Sequence, residues 1–273
     1  MKKLIALVLA LVMVMALAAC APSKDASQST PAANDGETTG EDALVTIEEG
    51  KLIMSTNAEF PPYEMTDDNG DYIGIDVEIA TAIAQKLGLE LEILDMDFDA
   101  ALLAVNEGKS DIVMAGVTVN EDRQMVMDFT NSYATGEQVV IVKEGSDVTM
   151  DNLGEKMIGA QRGTTGYIYA SDTPENGGYG EDHVIAYDNG ATAVQCLING
   201  QVDCVIIDNA PAKEFVKVNP GLAILEGTWV TENYAIGCDK GNTQLVEAIN
   251  EVLAELIADG TVQGIVDKYI TAE

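Results

Sequence analysis

A repeated strand opening limits this chain to a small set of folds. Asn106-Glu107-Gly108-Lys109-Ser110-Asp111-Ile112-Val113-Met114-Ala115-Gly116 matches Ile198-Asn199-Gly200-Gln201-Val202-Asp203-Cys204-Val205-Ile206-Ile207-Asp208 in pattern. With Gly108 set on Gly200, Asp111 falls on Asp203 and Gly116 on Asp208. Each apolar run is too short for a core helix and reads as a buried strand bounded by Asp and a polar or flexible end. Lys51 to Thr56 likewise resembles Lys156 to Gln161, each a strand ending in a polar loop. Two sister units imply two similar α/β lobes that present strand ends to a shared cleft.

The first unit can be read further. Lys51-Leu52-Ile53-Met54-Ser55-Thr56-Asn57 is a strand running into a polar turn, and Ala58 to Tyr63 is a rigid loop carrying Phe60 and Tyr63. Asp67 to Tyr72 is rich in Asp, Asn and Gly and reads as a hairpin turn. Asp76 is a candidate N-cap for a helix with apolar Val77, Ile79, Ala80, Ile83 and Leu87, closed by Gly88. Leu89 to Met96 alternates apolar and acidic residues as a strand does. The resulting β-α-β-α-β-α order predicts an α/β fold with a largely parallel sheet.

After Ile112 to Ala115, Gly116 lets the backbone approach a neighbour and Thr118 offers a hydroxyl and an amide. Asn120-Glu121-Asp122 reads as a helix start, with acids at the positive end of the dipole. Arg123 therefore lies in a first helical turn just past the C-terminal end of a strand, where open α/β sheets bind ligands. A guanidinium there suits a two-pronged grip on a carboxylate, or simply marks an exposed helix start.

Met1-Lys2-Lys3, the apolar run Leu4 to Ala19 and then Cys20 have the parts of a secretory leader, and the run is short for a membrane span. Leu17-Ala18-Ala19-Cys20 resembles a bacterial lipobox, so residues 1–19 are expected to be a signal peptide and Cys20 a lipidated residue that anchors the protein without spanning the membrane. Residues 20–42 then form a flexible tether, because Ala21 to Asp42 contains no Leu, Ile, Val, Met or aromatic residue to offset its ordering entropy. The net charge is -32, and losing Lys2 and Lys3 with the leader makes it -34. Nucleic acid and anionic headgroups would be repelled, so neither is an expected partner. Beyond Cys20, the three remaining cysteines Cys196, Cys204 and Cys238 show no metal spacing and read as buried free thiols, with one bridge as the alternative. His183 reads as an exposed loop residue, and Asp67 to Asp71 lacks the spacing of a calcium loop. No metal and no cofactor is expected.

Thr56-Asn57-Ala58-Glu59-Phe60-Pro61-Pro62-Tyr63, Gly74-Ile75-Asp76, Met96-Asp97-Phe98, Ala115-Gly116-Val117-Thr118 through Arg123, Asp128-Phe129-Thr130, Gly163-Thr164-Thr165-Gly166 and Ile207-Asp208 resemble the amino-acid-binding proteins of ABC importers, family 3 solute-binding proteins. The motifs occur in order from about Leu44 onward. The resemblance implies a periplasmic-binding-protein-like α/β fold of type II: two lobes with mixed, mostly parallel sheets, joined by two hinge strands near Thr135 to Val139 and Thr228 to Asn233. Lobe 1 would comprise residues 43–134 plus 234–273, its tail carrying amphipathic helices over Gln244 to Leu256 and Val262 to Tyr269, and lobe 2 residues 135–233. The implied protein is a monomer on the outer face of the cell membrane, of Gram-positive type, that hands a free amino acid to a membrane permease.

By the same resemblance Arg123, helped by Thr118 and amides near Gly116 and Thr164, pairs with the ligand carboxylate, and Asp208 pairs with the ammonium. Asn57, Phe60, Phe98, Val117, Gln161 and Thr165 complete the expected ligand set. Independently of it, Asp208 ends an all-apolar strand, where a carboxylate is costly without a cation, although it could also cap the following segment. Gly163-Thr164-Thr165-Gly166 opens a helix whose free amides suit a carboxylate, and it lacks the Lys of a phosphate loop. Side-chain selectivity stays open: Asn57 stands where the family often has Asp, which counts against lysine or arginine; Glu59 and Asp99, if turned inward, favour a cationic ligand, Arg162, if turned inward, an acidic one, and Gln161 a polar one such as glutamine. Two other functions remain in view, a ligand sensor and a dehydratase-like enzyme on the same fold, the latter lacking a His/Asp or Cys/His pair near the motifs.

Overall fold

The computed structural model describes residues 44–270. The leader, Cys20 and the tether lie outside the described residues.

Two mixed sheets form the two lobes. In the first, the strand order is Glu90–Asp95, Lys51–Thr56, Ile112–Val113, Gly237–Asp239, Met127–Phe129; the first three run parallel and Gly237–Asp239 runs antiparallel to both its neighbours. In the second, the order is Val184–Tyr187, Ile158–Gln161, Cys204–Asp208, Ala134–Lys143, Leu222–Ile224; again the first three are parallel, and Ala134–Lys143 also pairs antiparallel with Val230–Tyr234. The chain therefore passes between sheets twice, along Ala134–Lys143 and back along Val230–Tyr234, with Tyr234 opposite Ala134 and Val230 opposite Gln138.

The sister repeat is real at the level of single hydrogen bonds. Asp111 exchanges its amide with the Ile53 carbonyl and accepts the Ile53 amide on its carboxylate; Asp203 does both with Met157. One detail differs from the sequence alignment. The structure sets Ile53 against Met157, one residue out of step with the pairing of Lys51 to Lys156. Strand register follows ladder hydrogen bonds and the alternation of faces, which outweigh the match of two half-buried lysines.

The loop over Ala58 to Tyr63 contains a short strand, Glu59–Phe60, which pairs with Glu64–Thr66 and through it with Tyr72–Ile73; the turn at Asp67 to Asp71 joins the last two. The next helix spans Ile75–Leu87 and is closed at Gly88, but its N-cap is Gly74. Asp76 is not the cap, because its carboxylate turns inward to accept the Gly116 amide at 2.9 Å and the Tyr133 hydroxyl at 2.8 Å. The helices Thr243–Ala258 and Thr261–Tyr269 pack back on the first lobe, burying Leu245, Ile249, Leu253 and Val262 against Leu52, Ile79 and Ile83. Cys204 and Cys238 are buried, Cys196 is half-buried, and all three are free thiols. His183 is half-buried, not exposed, because it closes the turn Glu181–His183. Among the described residues no helix is long and apolar enough to cross a membrane.

Candidate functional site

The strand ends of both lobes line one small cavity, nearly closed by the side chains around it. Asn57, Phe60, Phe98, Gly116, Thr118, Arg123, Gln161, Thr164, Thr165 and Asp208 line it, together with Glu64, Ala115 and Gln138.

Arg123 is placed by local sequence. Asn120 caps the helix Glu121–Val126 by accepting the Arg123 amide at 2.9 Å, which turns the guanidinium into the cleft. There Nη1 donates to the Thr118 carbonyl at 2.7 Å and Nη2 to the Gly163 carbonyl of the other lobe at 3.1 Å. Phe98 stacks on the guanidinium at 5.4 Å. Burial pushes its pKa down to about 10, opposed by Glu232, Tyr169 and Asp208, so it remains a cation at neutral pH.

Asp208 ends the strand Cys204–Asp208 and precedes the helix Asn209–Val218. Its side chain makes no capping hydrogen bond. Oδ2 accepts from Gln138 Nε2 at 2.7 Å, and the buried Oδ1 has no donor. Burial first, then the charge of Glu232, pushes this carboxyl well above its ordinary range; Gln138 and Arg123 oppose them. A buried carboxylate with one unpaired oxygen is costly until a cation arrives.

Glu64 is the surprise of the cavity. It is 0 % exposed, and apart from a proton shared with Asp76 neither oxygen has a donor. Burial and the neighbouring Asp76 push its pKa well up. With 46 acidic residues in the chain, nothing local marks this one except its place between Tyr63 and Met65. Gln138 was equally silent, as one polar residue in a strand at the sheet crossing.

Gly116 has φ 55°, and a Cβ there would meet Phe60 at 3.0 Å, so the bare backbone lets the aromatic wall close on the loop. Gln161 spends both amide protons, on Asn57 Oδ1 at 2.9 Å across the cleft and on the Asp188 carbonyl at 3.2 Å. Thr164 caps the helix Thr165–Ser171. Val117 is 0 % exposed and its side chain packs with Phe98, Ala101 and Met127 rather than on the cavity. The three selectivity candidates also lie off the cavity wall. Glu59 is exposed, the Asp99 carboxylate accepts the Ala100 amide, and Arg162 is half in solvent at 3.6 Å from Asp188. Glu59 precedes Phe60 and Arg162 follows Gln161, so alternation along the extended chain turns both outward, while Asp99 lies in the helix Phe98–Asn106 and turns about 100° away from Phe98.

The model of the bacterial extracellular solute-binding proteins, family 3, matches residues 52–272. A probable histidine-binding protein of Neisseria gonorrhoeae is 33% identical over 279 residues, covering 100% of this chain and 97% of the relative. The L-cystine-binding protein TcyJ of Escherichia coli (strain K12) is 29% identical over 230 residues, 83% of this chain and 85% of the relative. Among solved structures, an ancestral arginine-binding protein bound to arginine superposes with a TM-score of 0.75 at 38% identity, covering 81% of this chain and 98% of that one. The family and these relatives are binding proteins, which overturns the dehydratase-like alternative. The chain belongs to the family 3 solute-binding proteins, the extracytoplasmic amino-acid receptors of ABC importers.

Proposed function

We propose that this receptor captures a free amino acid by holding its carboxylate on Arg123 and its ammonium on Asp208, and that the ligand side chain is cationic. The carrying observation is the pair of buried opposite charges in one cavity, Arg123 anchored on two carbonyls and Asp208 with an unpaired oxygen. The Thr118 hydroxyl gives its proton to Glu232, so only its lone pairs are left for the ligand, and it serves the ammonium rather than the carboxylate. The amide groups near Thr164 remain for the carboxylate.

The charge of the wall supports a cationic side chain. A zwitterion satisfies Arg123 and Asp208 and leaves the Glu64–Asp76 pair, which shares one proton and so keeps one negative charge, for which the lining holds no further cation. Relatives named for histidine and arginine agree with that reading. Glutamine is disfavoured because Gln161 has no proton left to offer a side-chain carbonyl.

With the lobes divided at residues 43–134 plus 234–273 and 135–233, closing brings Arg123 and Asp208 onto one ligand, and this differential affinity drives closure. The receptor works as a monomer, tethered through a lipid on Cys20 to the outer face of a Gram-positive membrane, and delivers its ligand to the permease.

The experiment is a thermal-shift screen of purified protein, unfolded and dialysed to strip co-purified ligand, against the common amino acids. A ligand that binds only the folded state raises Tm by mass action. Arginine, lysine or histidine should give the largest shift. A largest shift from an acidic or neutral amino acid overturns the side-chain assignment, and no shift at all overturns the amino-acid reading. Small-angle scattering should show a smaller radius of gyration with ligand and a monomer mass; an unchanged radius counts against closure.

A further inference from the structure

A third buried carboxylate stands behind the clamp. Glu232 is 4% exposed, on the returning strand Val230–Tyr234 and opposite Gly136 of Ala134–Lys143. Its Oε2 accepts from Thr118 Oγ1 and from Gln138 Nε2, both at 3.0 Å, while Oε1 has no donor. The same Gln138 nitrogen donates to Asp208 Oδ2 at 2.7 Å, and the Thr118 carbonyl receives Arg123 Nη1 at 2.7 Å. An unbroken chain thus runs from Arg123 through Thr118, Glu232 and Gln138 to Asp208, joining the two charged ends of the clamp through a strand that crosses between the lobes.

The direction of each bond decides what Glu232 does. A carboxylate accepts and does not donate, so the Thr118 hydroxyl must point its proton at Glu232 and its lone pairs elsewhere. Gln138 Nε2 is likewise held between two carboxylates, which sets the distance and angle at which Asp208 presents its free Oδ1. Both arms therefore act on the ammonium end. At the carboxylate end the Glu232 charge supports the Arg123 cation, but it makes no hydrogen bond to the guanidinium, which is aimed by backbone carbonyls, so the directional effect of Glu232 falls on the ammonium end.

We propose that Glu232 is a positioning residue of the ligand site, which aims the Thr118 hydroxyl and the Gln138–Asp208 pair at the ammonium group of the bound amino acid. The inference rests on the Arg123–Asp208 clamp. Burying a carboxylate that touches no ligand is otherwise unrewarded in a low-dielectric interior, and its position on the crossing strand lets one side chain reach groups from both lobes.

The test compares L-arginine with 5-guanidinopentanoic acid, the same molecule without the ammonium, by calorimetric titration of wild-type protein and of Glu232→Ala and Glu232→Gln. Glu232→Ala should weaken L-arginine by about 30-fold, in the range for taking one partner out of a buried polar network, and change 5-guanidinopentanoic acid by less than about threefold. Glu232→Gln keeps an acceptor oxygen of the same reach and should recover most of the L-arginine affinity; it also serves where the Ala variant does not fold. A variant that leaves L-arginine unchanged, or that weakens both probes by the same factor, overturns the proposal, because a merely structural role would not distinguish them. Wild-type protein that binds none of L-arginine, L-lysine and L-histidine overturns the ligand reading beneath it instead, and does so before any variant is made; where L-lysine or L-histidine binds in place of L-arginine, the same comparison is run with that amino acid and its analogue lacking the ammonium.

Discussion

The two sister strand ends share a frame and carry opposite chemistry. In lobe 1, Asp111 ties the strand Ile112–Val113 to Ile53, and the strand ends in the bare backbone of Gly116. In lobe 2, Asp203 ties Cys204–Asp208 to Met157, and the strand ends in a carboxylate. Lobe 1 then supplies its charge from the next helix, as Arg123. The repeated scaffold thus places a guanidinium on one face of the cleft and a carboxyl group on the other, the pair that the proposed zwitterion needs. The halves also differ in readiness. Arg123 has a carbonyl partner on each lobe, whereas Asp208 keeps an oxygen without a donor.

The strongest way to break this comparison is to remove each end. Arg123→Ala and Asp208→Ala should each weaken amino-acid binding by at least about 2 kcal/mol, as for truncating one partner of a desolvated charge pair. Calorimetry that finds either variant unchanged removes that residue from the clamp. The frame itself can be tested next. Asp111 is buried and accepts two amides, from Ile47 and Ile53, whereas Asp203 is exposed and accepts one. Asp111→Ala should therefore cost about 1–3 kcal/mol of stability in urea unfolding and Asp203→Ala clearly less. Equal losses would show that burial does not separate the sister aspartates.

The smallest effect is a slope with pH. Asp76 sits behind Gly116 with a carboxyl pushed up to about 6 by burial, against the Gly116 amide, the Tyr133 hydroxyl and Glu64; Asp208, Asp95 and Tyr63 surround the pair. Because the folded pKa lies above the unfolded 3.8, the folded chain keeps a proton that the unfolded chain has lost. That contribution to stability is complete below about pH 4 and disappears as pH rises through about 6. Wild-type protein should therefore lose stability relative to Asp76→Asn as pH rises across that window. A difference independent of pH would mean that Asp76 titrates as an ordinary carboxylate.

Much of this was legible in residues alone. The repeat, the helix start before Arg123, the glycine-rich helix opening at Gly163 and the apolar strand before Asp208 are local patterns, and local patterns survive in sequence because hydrogen-bond rings and side-chain periodicity are set by near neighbours. Within the cleft, the aromatic walls Phe60 and Phe98 and the residues Gly116, Thr118, Thr164 and Thr165 line the cavity as the motifs implied. What failed was orientation. Val117 turns into the core; Glu59 is exposed and Arg162 pairs with Asp188 outside the cavity. Asn57 and Gln161 face inward but hydrogen-bond each other across the cleft.

The residues alone carry two similar α/β units, the places of Arg123 and Asp208 just past strand ends, and the acidity of the whole. Only the tertiary structure decided which acids matter. Glu64, Asp76, Asp111, Asp208 and Glu232 come from five separate stretches, and each is distinguished from the other acids by burial among residues distant in the chain. Charge is a property of a residue. The cost of burying it, and hence its chemistry, belongs to surroundings that exist only after the lobes have packed.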